Sequence, residues 1–578
     1  MSQFIRKIGR WIRGKYYRFK YPGFYELSPG EKKWHGSAKL KTLLPSLIAC
    51  RDLLKAKNFT VRLEYTDKSD LKNPRSNKRD FAIEFNTDKE ELSFRIVNPD
   101  IFHVGGVRMH SSYGLDKPLV IKSRSGRVLH VSQNSVTKFE TIYPRKPQVL
   151  NGNFLNIGTC RYEDLNDFYF RLVVKLDDAE IEYPTDILEE ENFLKFDNPD
   201  WDRQATLMGI RFMSTKGQYS KVTLDKSNFD FYTVEDVKCQ FIDSESKMNL
   251  PTFQNLTLTI RTAFAFLSGK FYRKHVYYIA SSDPNFKTAD QVYYERETDS
   301  SITKMKLINP TLFFEHYRRQ GDDYKQQFEK YHRMFPIEVF NSLCELLHSN
   351  KIVRTSIELI LTGNSNLNSI QRGVVYSVAI ESLANHIYDL NKQMLKPIPD
   401  KATSKKVRDD LMTTLDTHKE AIGDSAYSVI SNKISQINQP TNRNRLLKPF
   451  ELYKISLTDE EVELLEHRND FLHGRSPGDD DFEVERIALE FHQLIGSLVL
   501  KLVGYEGYMT NLAVAHLLTD EVKAAKHIRN FDPEKITSPE IIKERLESGD
   551  VEGLQELIEN TMNAYKAIAK LSSFIKMI

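Results

Sequence analysis

Residues 374–390 read VVYSVAIESLANHIYDL, and this stretch decides how the C-terminal half of the chain folds. Its apolar residues recur every three or four positions, which is the period of a helix packed along one side. The predicted stripe, within a helix over 368–393, is Val375, Val378, Ala379, Leu383, Ile387 and Leu390. A second stripe, within a predicted helix over 481–503, is Ile487, Phe491, Leu494, Leu498 and Leu502. Two helices of this length predict the centre of a helical bundle.

The same helical period extends in both directions from these segments. It predicts further helices over 323–334, 337–349, 351–362, 401–420, 423–437, 458–473 and 508–517, with others after 519. Near residue 309 the pattern changes. Upstream, short runs rich in β-branched and aromatic residues predict strands at 59–66, 80–86, 92–97, 117–123, 167–176, 207–213 and 275–280, with one helix near 255–268.

These patterns predict an α+β fold, with a large antiparallel β-rich domain followed by an all-α bundle. The predicted domains are a basic arm over 1–40, a β-rich sensor or regulatory domain over 41–308, a helical domain over 309–518 and a helical extension over 519–578.

Composition excludes several classes of protein. The chain has 578 residues, of which 40% are hydrophobic and 28% charged, so a largely disordered chain is excluded. It contains no run of about 18 uncharged apolar residues, so no membrane-spanning helix is expected. Its four cysteines include no CxxC pair, which excludes a zinc finger or a disulfide framework and predicts a cytoplasmic protein.

The net charge of +3 is unevenly distributed. Residues 1–41 contain eleven Lys and Arg residues against Glu26 and Glu31, a net charge of +9 that leaves −6 for the rest. Three interpretations of this arm remain open: a surface helix docked on the protein itself, an RNA-contacting arm, or an interfacial membrane helix.

The most specific local pattern is RNDFLHG at residues 468–474. Thr458 as N-cap and the acids that follow it predict a helix start, and Gly474 predicts the helix end directly after His473. Asn469 and His473 are four residues apart and share a helix face, with Arg468 one residue round from Asn469. A cation, an amide and an imidazole are therefore predicted at one helix end.

These groups match the needs of RNA cleavage without a metal ion. An imidazole exchanges protons near neutral pH, and a guanidinium neutralises charge that develops on phosphate. Because one histidine cannot act as both base and acid at once, two copies of the site are expected to meet across a two-fold axis. The alternative is a purely structural helix end, in which His473 caps carbonyls and Arg468 pairs with Glu463 or Glu466.

Together with VVYSVAIESLANHIYDL, this motif resembles the HEPN (higher eukaryotes and prokaryotes nucleotide-binding) ribonuclease superfamily and its R-[N/D/H]-x(3–5)-H signature. The segment from 442 to 475 is similar to the ApeA-like HEPN proteins of bacterial anti-phage defence. The resemblance covers about residues 350–505 and is only architectural before them. It implies a HEPN helical core and a metal-independent endoribonuclease.

The resemblance also implies roles for individual residues. Arg468 and His473 take catalytic roles with Asn469, while Glu381 and Asp470 support them; Glu381 is matched to an acid that contacts the motif arginine. Arg475 is a candidate for substrate binding. No cofactor and no metal are expected. The implied partners are an RNA substrate, with tRNA as one candidate, a second copy of the chain and a phage-derived trigger of abortive infection.

Two other functions remain open. One is a non-catalytic scaffold that binds nucleic acid or nucleotide, and the other is a membrane-peripheral effector that uses the basic arm.

Overall fold

The computed structural model describes 17 stretches of the chain, and several predicted segments fall outside them. These segments are the arm up to residue 38, strand 207–213, helix residues 323–333 and the extension from 519. The described residues are 39–54, 59–62, 82–83, 93–97, 119–123, 128–132, 136–142, 149–176, 181–189, 192–196, 216–297, 300–303, 305–309, 334–365, 367–478, 480–513 and 516.

The first part of the chain is built of strands. They are β1 Lys39–Lys41, β2 Phe59–Arg62, β3 Ala82–Ile83, β4 Ser93–Val97, β5 Leu119–Ser123, β6 Val128–Val131, β7 Val136–Ile142, β8 Val149–Phe154, β9 Asn156–Gly158, β10 Tyr169–Lys175, β11 Asn192–Phe196, β12 Lys216–Leu224, β13 Ser227–Val234, β14 Cys239–Ser244, β15 Lys270–Phe271, β16 His275–Ser281, β17 Gln291–Arg296 and β18 Ser301–Ile302.

Within the described residues, sixteen strands form one sheet in the order β1-β11-β12-β13-β14-β10-β16-β17-β9-β6-β5-β2-β3-β4-β8-β7, and β15 pairs with β18. The sheet is mixed, because β1 pairs in parallel with β11. The sequence predicted an antiparallel sheet. Buried charges hold β1 at this edge: Lys41 lies 3.2 Å from Asp230 and 3.5 Å from Asp243.

Consecutive residues of β10 point to opposite faces of the sheet, where they meet two different helices. Phe170 stacks on Phe253 of helix Leu250–Ser268, with ring centroids 5.3 Å apart. Arg171 points to the other face, where its Nη1 donates to Ser46 of helix Leu44–Leu54 at 3.1 Å. Because side chains alternate along a strand, this part of the sheet is covered on both faces.

Helices dominate the second part of the chain. They are Ile337–Ser349, Lys351–Gly363, Ser369–Leu390, Lys392–Leu395, Lys401–Thr417, Lys419–Ser435, Asn442–Leu452, Asp459–Leu472 and Asp481–Leu502. The predicted α+β class is confirmed in this coarse sense, with a large sheet and helices mostly towards the C-terminus. Sequence reasoning missed helix Asn442–Leu452, which contains Pro449.

The chain divides into two compact units. The first comprises residues 1–366 and 498–509, and the second comprises 367–497 and 510–578. Helices Ile337–Ser349 and Lys351–Gly363 therefore belong to the first unit, together with the sheet.

Three helices concern the site: the central helix, Ser369–Leu390; the motif helix, Asp459–Leu472; and the His492 helix, Asp481–Leu502, which belongs to the second unit up to residue 497. The stripe predicted on the central helix is partly wrong, because Val378 is 41% exposed and Leu390 is 68% exposed. The buried side instead includes Tyr376, Ile380 and Ala384 as well as the predicted Ala379, Leu383 and Ile387.

Candidate functional site

The motif helix begins and ends where the sequence predicts. The Thr458 hydroxyl accepts from the Glu461 N–H at 3.2 Å, and the Glu461 carboxylate accepts from the Thr458 N–H at 2.8 Å, which completes a capping box. At the other end the His473 N–H donates to the Asn469 carbonyl at 2.9 Å. Gly474 follows with a φ of +70°, a conformation that glycine adopts without strain.

Arg468 lies inside the unit, and its ion-pair partner among the described side chains is on another helix. The residue is 6% exposed. Its Nε lies 3.8 Å from Oε2 of Glu381 on the central helix, and the Glu381 side chain is 39% exposed. The structure thus brings together the pair that the resemblance implied, at a separation too long for a hydrogen bond.

The hydrogen-bonding capacity of Arg468 is largely unused. Nε and Nη1 are buried and have no hydrogen-bond partner within the part of the chain that the structure describes. A buried guanidinium costs several kcal/mol of free energy unless ion pairs and hydrogen bonds offset its desolvation. Arg468 is therefore poorly explained as a group that stabilises the fold.

Asn469 and His473 lie on the exposed side of the motif helix. Both residues are exposed, and His473 is the C-cap residue with φ −94° and ψ 9°. Among the described residues the His473 ring has no hydrogen-bond or ion-pair partner. The alternative in which this imidazole caps the helix carbonyls is therefore not observed within those residues.

Asp470, in the last turn of the motif helix, lies beside Arg475, which follows the helix end. The Arg475 N–H donates to the Asp470 carbonyl at 2.7 Å, and its Nη1 lies 3.8 Å from Oδ1 of Asp470. The Arg475 side chain is 73% exposed. An exposed pair of this kind contributes little stability, so Arg475 can exchange its acid for another anion at small cost.

Close packing fixes the motif helix against its neighbours. The Phe471 ring lies so close to Gly373 that a Cβ built on this glycine would be 2.1 Å from the Cε1 of Phe471. The same ring meets Phe491 of the His492 helix edge-on, with centroids 6.0 Å apart. Sequence reasoning missed this contact, although a glycine inside a helical pattern is a signal of close approach.

Two more polar residues that sequence reasoning missed lie in the core of this unit. His492 is fully buried with neither ring nitrogen hydrogen-bonded to a described residue, and its ring meets Tyr376 edge-on at 5.5 Å. Burial, reinforced by the nearby Arg372, lowers the pKa of His492 from 6.5 to about 4, so the ring is neutral at pH 7. The Ser377 hydroxyl is also buried and unpartnered among the described residues.

Comparisons with protein-family models, curated proteins and solved structures gave no match. Within the described stretches no cluster of three or more His, Cys, Asp or Glu residues is placed to hold a metal ion. None of the helices described is both long enough and apolar enough to span a membrane.

Proposed function

We propose that this protein is a metal-independent endoribonuclease of the HEPN type, which cleaves RNA by attack of a ribose 2′-hydroxyl on the adjacent phosphate. The observation that supports it most is Arg468, a buried guanidinium whose Nε and Nη1 have no partner among the described residues, on the helix that ends at the exposed imidazole of His473. A guanidinium held without hydrogen bonds is ready to take phosphate oxygens, and the bonds it then forms are charge-assisted.

Arg468 stabilises the transition state in this proposal. Attack of the 2′-oxygen places additional negative charge on the phosphate oxygens, and a fixed cation in a partly water-excluded site stabilises that charge more than water does. Glu381, at 3.8 Å, keeps the guanidinium on the central-helix side. Asn469, which is exposed beside it, orients the phosphate through its amide.

His473 carries the proton in this proposal. Its ring is exposed at the helix end, where it can reach a ribose hydroxyl or a leaving 5′-oxygen. The reaction needs a base and an acid, and each chain contributes one such imidazole. Two chains therefore pair their motifs in one cleft, in a homodimer with a two-fold axis.

The biological setting proposed is abortive infection, in which the enzyme cuts RNA in the cytoplasm, with tRNA as a candidate, after a phage-derived trigger. The ApeA-like resemblance of residues 442–475 supports this setting. The β-rich part senses the trigger in this proposal, and Arg475, with its exposed guanidinium, contacts substrate phosphate.

The test is RNA cleavage in EDTA by wild type, Arg468→Ala and His473→Ala. We expect wild type to leave 2′,3′-cyclic phosphate ends and each variant to lose at least about a thousandfold in rate, because each removes a transition-state contact. Circular dichroism and the sedimentation coefficient check that the fold and assembly are unchanged. A variant that cleaves at the wild-type rate, 3′-hydroxyl ends, or dependence on a divalent metal would contradict the proposal and leave the scaffold alternative.

A further inference from the structure

The central helix and the motif helix meet along a seam, which two contacts define. Gly373 meets Phe471, and Glu381 meets Arg468. As the central helix advances from 373 to 381, its contacts on the motif helix move back from 471 to 468. The two helices therefore run antiparallel, and the Phe471 contact is the one nearer to His473.

Ser377 lies midway between these two contacts. It follows Gly373 by four residues and precedes Glu381 by four, and residues four apart on a helix lie on the same face. Ser377 is therefore placed on the seam, on the His473 side of Glu381. Its side chain is fully buried, and its hydroxyl has no hydrogen-bond partner among the described residues.

The seam thus holds two buried groups that each lack a described partner. Arg468 offers N–H donors at Nε and Nη1, and the Ser377 hydroxyl has lone pairs that can accept one of them. A buried polar group that stays unpartnered costs free energy, so both groups gain by closing a hydrogen bond. Hydrogen bonds at catalytic sites are often long in the free enzyme and tighten when substrate binds.

We propose that Ser377 is a positioning residue for Arg468: its hydroxyl takes one guanidinium N–H when phosphate is bound, while Glu381 takes another. Two supports on one planar group define its orientation more closely than one carboxylate at 3.8 Å does. The remaining donors then face the phosphate on the His473 side. This inference rests on the proposed function, because the phosphate it positions belongs to the RNA.

The test compares Ser377→Thr with Ser377→Val, which have the same shape and differ in the hydroxyl. We expect Ser377→Thr to keep most of the wild-type kcat and Ser377→Val to lose about ten- to a hundredfold, the factor for one hydrogen bond to a charged group. KM should differ less than kcat, and the two variants should melt at similar temperatures. Ser377→Ala, which adds no volume, provides a second comparison with wild type if the larger residues disturb the fold.

A second pair of variants separates positioning from packing. In an Arg468→Lys background the ratio of kcat between Ser377→Thr and Ser377→Val should fall to about one, because an ammonium lacks the planar fork that the hydroxyl orients. Two results would overturn the role of Ser377 while leaving the proposed function intact. One is equal kcat for Ser377→Thr and Ser377→Val in the chain that retains Arg468. The other is the same ratio of kcat between these variants with Arg468 and with Arg468→Lys. Wild type that cleaves no RNA would overturn both the role of Ser377 and the proposed function.

Discussion

Two buried arginines, Arg171 in the sheet and Arg468 in the helical unit, have opposite surroundings. Arg171 is fully buried and makes a bidentate ion pair with Asp243 at 2.7 and 2.8 Å. It also donates to the Thr42 carbonyl and the Ser46 hydroxyl, and its guanidinium lies 4.1 Å from the centroid of the Phe286 ring. Among the described side chains, Arg468 has one acid at 3.8 Å, and its Nε and Nη1 have no hydrogen-bond partner.

The difference separates a residue kept for the fold from one to which the proposed function assigns a ligand. Burial by itself lowers the pKa of Arg171, but the nearby Asp243, Tyr232 and Asp230 together more than offset this, so the net pKa is raised. Such a closed network ties β10 and β14 to the segment before helix Leu44–Leu54. Arg468 makes no comparable set of contacts with the described residues, so removing it should cost the fold little.

The largest effect on stability is expected at Arg171. Arg171→Leu leaves the Asp243 carboxylate buried without its main partner, and this should lower the free energy of unfolding by about 3–5 kcal/mol. Hydrogen exchange of the Tyr169–Lys175 amides measures it. Arg475→Leu, at a side chain 73% exposed, is the control and should change stability by less than about 0.5 kcal/mol. If Arg171→Leu lowers the free energy of unfolding by less than about 1 kcal/mol, Arg171 and Arg468 do not differ in their importance for the fold.

The buried His492 makes the stability of the helical unit depend on pH. The unfolded chain protonates this histidine near pH 6.5, whereas the folded protein keeps it neutral down to about pH 4. The unfolded state therefore binds more protons within this window, and stability falls as pH falls through it, by about 3 kcal/mol in all. Hydrogen exchange of the central-helix amides at pH 7 and pH 5 should report part of this loss.

The control for that titration is another histidine. His492→Phe should flatten the pH dependence, since it retains an aromatic ring beside Tyr376 and carries no proton. His473→Phe, at an exposed position at the end of the motif helix, is the control substitution. If both substitutions have the same effect, His492 is not the group that titrates.

A smaller effect is expected where the motif helix packs. Gly373→Ala places a methyl group against the Phe471 ring and should cost about 1–3 kcal/mol through overpacking. Urea unfolding followed by circular dichroism measures it. Phe471→Leu removes the ring, so the double variant should lose less than the sum of the two single losses. If the two losses in free energy of unfolding are additive, the Gly373–Phe471 contact does not determine how closely the central helix and the motif helix pack.

Sequence reasoning predicted the helix that carries the motif with errors of one residue. Thr458, Gly474 and the intervening acids act on the ends of their own helix, so their effect does not depend on which other helices pack against it. The contact between Glu381 and Arg468 was expected only through the resemblance, because two segments nearly ninety residues apart leave no periodicity that links them.

Other features could not be read from local patterns. Val378 and Leu390 fit the apolar period of the central helix, yet they are exposed, because the burial of a face depends on which helices pack against it. The parallel pairing of β1 with β11 is similarly a property of the folded chain, since more than 150 residues separate Lys39 from Leu194. No local pattern distinguishes Ser377 and His492 in the sequence. They are recognised in the structure because their polar atoms are buried and have no hydrogen-bond partner among the described residues.

Arg468→Leu, assayed for urea unfolding and for RNA cleavage in the same preparation, tests whether Arg468 serves cleavage and not the fold. Leucine fills the buried space without a charge, so we expect an unchanged or higher free energy of unfolding together with loss of cleavage. A loss of several kcal/mol in stability, comparable to that of Arg171→Leu, with cleavage retained by the folded fraction, would contradict this role of Arg468.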